Sequence, residues 1–146
     1  MVDVLQILTQ FASDNGHQLL DRGNGEFVFQ FNARLKDGTK RTQIVWIWII
    51  QGRAFGKDCL FFSSRVGTFK PTVDLYSITK DTGKAIYSNL TIVHDTDSDG
   101  NPCESLVVQA SPILEYLNAD ELTLILREVG QLADYIEGNY FHKDTY

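Results

Sequence analysis

The chain has 146 residues, 13 lysines and arginines against 19 aspartates and glutamates, and a net charge of −6. That length suits one domain, 1–146, with a core that needs no staples, and the acidic balance without a basic patch argues against a nucleic-acid backbone as partner. Two cysteines, Cys59 and Cys103, do not make a disulfide framework and read as small core residues.

The first ten residues hold Asp3, Gln6, Thr9 and Gln10 without a basic cluster, which is unlike a signal peptide. The longest apolar run, residues 44–50, is far short of the roughly 18–20 residues of a membrane-spanning helix. The expectation is a cytoplasmic protein with no membrane partner.

Residues 2–13 predict a helix, with Val4, Leu5, Leu8, Phe11 and Ala12 on one face, ended by Asn15-Gly16. Gly23-Asn24-Gly25 predicts a turn. Residues 26–35 predict a strand with Phe27, Phe29, Phe31, Ala33 and Leu35 on one side. Lys36-Asp37-Gly38-Thr39 predicts a hairpin turn on its Asp-Gly signal.

The strand at 41–51 is the most informative element. Ile44, Trp46, Trp48 and Ile50 point one way, and Val45, Ile47 and Ile49 the other. A sheet with one wet face would alternate apolar with polar, so both sides of this strand need cover. Helices of the chain account for one side. A second copy or a client polypeptide is the expected cover for the other.

Residues 52–57 predict a loop and 58–66 a third strand. Pro71 can open a short helix that places Val73, Leu75, Tyr76 and Ile78 toward a core. Residues 86–94 and 103–111 predict two more strands around a polar turn. Residues 118–140 predict the longest helix. Asn118 suits its cap, with Glu121 at the reciprocal capping-box position. Leu122, Ile125, Leu126, Val129, Leu132, Ala133, Ile136 and Tyr140 form its stripe, and Gly130 suits a close approach to a sheet. The tail beyond this helix is expected to fray.

The order is α-β-β-β-α-β-β-α, an α+β fold with an antiparallel five-stranded sheet and the N- and C-terminal helices on one face. With Leu114 to Leu117, then Asn118-Ala-Asp-Glu-Leu122 and Leu132-Ala-Asp-Tyr-Ile136 near its end, it resembles the type III secretion chaperone-like fold, including its YbjN-type relatives. The resemblance implies a homodimeric, non-enzymatic protein that binds other polypeptides.

No GxSxG, HExxH or phosphate-cradling glycine loop occurs in the sequence. No enzyme activity and no cofactor are expected. Trp46, Trp48, Ile50 and Phe62 are the candidate partner-binding residues, because aromatic side chains bury much area at small entropic cost. Trp46→Ser or Trp48→Ser is expected to damage assembly or folding. A second reading is a metal- or ligand-responsive regulatory domain that uses the acidic turn 95–99, where the alternating oxygens of Asp95, Asp97 and Asp99 before Gly100 resemble a calcium loop. The bidentate glutamate such a loop needs is missing, its position being Leu106. The bland alternative is a solvated hairpin turn. His94 beside these carboxylates adds a possible transition-metal ligand.

Overall fold

A computed structural model describes residues 1–34 and 38–141. The expected hairpin turn at 36–39, the end of the strand at Leu35 and the tail past Phe141 fall partly or wholly outside these residues.

Asp3 starts the first helix by accepting the Gln6 N–H at 3.1 Å, and α1 spans Val4–Asn15. It stops at Gly16, whose φ of 71° is the left-handed conformation that glycine adopts without strain. The chain then enters a strand absent from the sequence reading, β1, Gln18–Gly23. A two-residue Asn24-Gly25 turn follows, both residues at positive φ, as the right-handed twist of a hairpin requires. β2 is Glu26–Arg34, β3 Lys40–Ala54 and β4 Lys57–Thr68. After α2, Leu75–Asp81, come β5, Asn89–Thr96, and β6, Pro102–Ala110. A single 3-10 turn at Leu114–Tyr116 leads into α3, Ala119–Tyr140.

The sheet therefore has six strands where five were expected, in the spatial order β1-β2-β3-β4-β6-β5 with every pair antiparallel. β1 escaped the pattern because it is an edge strand. Leu19 alone of its residues is half-buried, so there is no apolar alternation to detect. The predicted loop at 52–57 is mostly strand. β3 and β4 run on to a two-residue turn, Phe55-Gly56, both at positive φ.

Phe55 is fully exposed at that turn and sits at φ 53°, a conformation costly for a residue with a bulky side chain. Asparagine tolerates it better. Phe55→Asn is expected to raise the melting temperature by about 2–4 °C, the shift that ~1 kcal/mol gives at this size. An unchanged or lower melting temperature by calorimetry would show that the Phe55 ring is held by something more than the turn.

The helices cover one face, as expected. α3 lies over β3, β4 and β6, with α1 beside it over β1. Phe29, Val45, Ile47, Leu60, Phe62, Leu106 and Val108 meet Leu8 from α1 and Leu122, Leu126, Val129 and Ile136 from α3. Asn118 caps α3 by accepting the Glu121 N–H at 2.8 Å. Arg41 reaches from β3 to the Asp134 carboxylate at 2.7 Å and donates to the Asp134 carbonyl at 2.9 Å.

Gly130 allows the close approach foreseen for it. A Cβ there would stand 2.4 Å from Cε2 of Phe31. Gly130→Ala gains about 1 kcal/mol of helix propensity but forces an aromatic ring out of place, a change that typically costs about 1–3 kcal/mol. A lower urea midpoint with an unchanged slope is the expected result. A raised midpoint would mean that the ring moves aside freely.

The predicted strand at 86–94 begins three residues later than expected. The N–H groups of Ile86, Tyr87 and Ser88 do not enter the sheet but donate to the Glu128 carboxylate of α3 at 3.0, 2.9 and 2.8 Å. The Ser88 hydroxyl donates to it as well, at 2.6 Å. Burial pushes the Glu128 carboxyl pKa up, but these donors outweigh it and hold the group below the usual glutamate value.

Candidate functional site

The uncovered face of the sheet carries the even-numbered residues of β3. Ladder register decides their neighbours. Trp46 lies between Val28 and Ser63, Trp48 between Glu26 and Phe61, and Ile50 beside Cys59. Leu20 is opposite Val28, and Gln30 is opposite Ile44. Side chains directly opposite share a face, so Leu20, Val28, Ile44, Trp46, Trp48, Ile50 and Phe61 form one continuous apolar strip across β1 to β4.

Trp46 is 44% exposed and Leu20 57%. Trp48 is half-buried, its ring 4.7 Å from that of Phe61. Strips of this kind mark interaction sites when they are contiguous.

Three of the four predicted residues, Trp46, Trp48 and Ile50, belong to the strip. Phe62 does not. It pairs with Ile47, points to the helices and has no exposed surface. Its neighbour Phe61 takes the place assigned to it. The sequence Phe61-Phe62 offers two adjacent rings, and only the register of β4 on β3 decides which one faces outward.

The face also carries cations that sequence reasoning missed. The Arg22 guanidinium lies over the Trp46 ring, 5.6 Å from its centre, and that of Arg53 over Phe61 at 5.9 Å. Such stacking holds an arginine flat on an aromatic platform while its N–H edges stay available. Neither arginine forms an ion pair among the described residues. Lys40, opposite Arg34, continues the same side of β3. Glu26 is the carboxylate within the strip. Further along the sheet, Arg65 pairs with Asp95 at 2.9 Å. In a chain of net charge −6, this face is the locally basic one.

In the acidic turn the carboxylates of Asp95 and Asp97 are held by hydrogen bonds. The Asp95 carboxylate accepts from the Ser105 hydroxyl at 2.6 Å, from the Thr96 N–H at 2.8 Å and from Arg65 at 2.9 Å. These contacts, the serine first, hold its pKa below the usual aspartate value. Asp97 accepts the N–H groups of Asp99 and Asn101, both at 2.9 Å. These carboxylates therefore serve the hairpin itself. His94 is exposed and, by strand alternation, points away from Asp95. Among the described residues no three His, Cys, Asp or Glu side chains converge to hold a metal ion.

The fold is an α+β arrangement of one antiparallel sheet with helices on one face, and it is similar to that of YbjN. The crystal structure of YbjN from E. coli, a suspected transcription regulator, superposes with a TM-score of 0.52 at 14% identity, over 94% of each chain. At that identity the likeness shows the fold alone. No protein-family model and no curated sequence matches the chain. No helix among the described residues is long and apolar enough to cross a membrane.

Proposed function

We propose that the protein is a non-enzymatic polypeptide-binding module whose open sheet face takes an acidic segment of a partner protein. The observation that carries this reading is the strip of Leu20, Val28, Trp46, Trp48 and Phe61 with Arg22 and Arg53 stacked on its rings. The apolar part supplies burial at roughly 25 cal/mol per Å², less the cost of ordering the partner. The arginines favour carboxylates and fix register. Chaperone-like binding by this chain is consistent with its fold.

Both tryptophans of the chain lie on this face, so selectively excited tryptophan emission reports on it. A peptide alternating glutamate with valine and phenylalanine is expected to shift the emission to the blue and to saturate, with binding weakened by salt. A lysine counterpart of the same apolar pattern is expected to bind far less. An equal response to the two peptides, or none to either, overturns the reading. Should a second copy occupy the face instead, light scattering over a dilution series will show a dimer that Trp46→Ser converts to monomer.

A further inference from the structure

On the helix side of the sheet, a cavity of about 410 Å³ opens between the end of α1, the strands β2 and β3, and α3. Rings of Phe11, His17 and Phe31 line it, the His17 and Phe31 centres 4.9 Å apart. Arg127 stands over the Phe11 ring at 5.4 Å and is exposed to solvent. Arg41 also lines the cavity but is matched by Asp134. The cavity therefore has an aromatic wall, with Phe11 and Phe31 set at 73° to one another, and one cation, Arg127, without an ion-pair partner among the described residues. Its volume falls in the usual range for small-molecule sites, about 300–1,000 Å³.

Gln43 supplies the second, independent observation. It lines the same cavity, is 6% exposed, and its Oε1 has no hydrogen-bond partner. The orientation of its amide is fixed by its neighbours. Nε2 donates to Ser64 Oγ at 2.9 Å and to the Arg65 carbonyl at 3.3 Å, while the Ser64 hydroxyl spends its proton on the Ile44 carbonyl at 2.6 Å. A flip would set the amide oxygen against the Arg65 carbonyl. Oε1 is thus a buried acceptor awaiting a donor, which native interiors seldom leave unmet.

His17 adds a donor. Its Nδ1 accepts the Asn32 N–H at 3.0 Å, which leaves the ring proton on Nε2. Burial, and then the Arg127 charge, push its pKa down.

We propose that this cavity binds a small aryl carboxylate that carries a hydrogen-bond donor away from the acid group. The ring lies against Phe11 and Phe31, the carboxylate meets Arg127 and the His17 N–H, and the donor reaches Gln43 Oε1. The site is on the opposite side of the sheet from the polypeptide strip, so either proposal can fail without the other.

The test uses para-aminobenzoate, benzoate and aniline on the unmodified protein, followed by amide shifts in proton–nitrogen correlation NMR. Para-aminobenzoate is expected to give saturable shifts at His17, Asn32, Gln43 and Gly130. Benzoate, which lacks the donor, is expected to bind about tenfold more weakly, and aniline, which lacks the acid, weaker still. Arg127→Gln, a change at an exposed helix position, should remove the preference for the acid. No shift at these residues by about 10 mM overturns the proposal and leaves a solvent-filled cleft. Equal affinity for the three compounds overturns the recognition chemistry.

Discussion

Phe62→Ala is expected to destabilise the protein by about 3–5 kcal/mol, the cost of deleting a fully buried aromatic ring and leaving a cavity. Phe62 has no exposed surface and lies in the cluster shared by sheet and helices. Trp46→Ser is expected to behave in the opposite way. Trp46 is 44% exposed, so its loss costs about 1 kcal/mol or less while removing the centre of the binding strip and the platform for Arg22. Urea unfolding monitored by circular dichroism separates the two, with peptide titration as the second readout. A Trp46→Ser protein that binds the acidic peptide normally would show that the strip is only a surface. A Phe62→Ala protein of normal stability would show that the β4 register is wrong.

The second large effect is expected at Glu128. Its carboxylate receives three backbone N–H groups and a hydroxyl from residues 86–88. It thereby ties the start of β5 to the middle of α3. Glu128→Ala should cost about 2 kcal/mol, a value at the modest end for hydrogen bonds to a charged group because the site is partly solvated. Hydrogen exchange should rise first at Tyr87 and Ser88. Unchanged protection there would mean that water replaces the carboxylate at no cost.

The same contact has a pH signature. The folded pKa of Glu128 is depressed from 4.5, so the folded state binds its proton later than the unfolded chain does. The stability it contributes is complete above the unfolded value and is lost as pH falls through the depressed folded value. In the Glu128→Gln protein that part of the acid loss should vanish.

Much of the architecture is legible in the residues because it is written in local periods. The two-faced alternation of residues 44–50 placed β3 in the middle of the sheet, and the stripe from Leu122 to Ile136 located α3 with its Asn118 cap. What escaped depends on neighbours distant in sequence. β1 buries too little to show a period. Phe61 and Phe62 are indistinguishable until β4 is set against β3. Glu128 is one of several acids on α3, and nothing near it in sequence announces the three N–H groups it holds. Gln43 reads as one more polar residue before an apolar run. Its importance arises only when Ser64 and Arg65 fix its amide. Of the candidate strip, the tryptophans were visible by alternation, but Arg22 and Arg53 needed the strand pairing that brings them over the rings.

The strand order has a consequence for how the chain comes off the ribosome. β1 to β4 follow one another as neighbours and can pair as soon as they are made. Among the described residues β5 has its only strand partner in β6, and its entry is tied down by Glu128, while the part of the inner face that α1 does not cover waits for α3. Until residues 119–140 have been translated, a four-stranded meander exposes apolar side chains on both faces. Such intermediates are prone to aggregate. Slower elongation between β4 and α3 would lengthen that exposure, and the yield of soluble protein should fall with it.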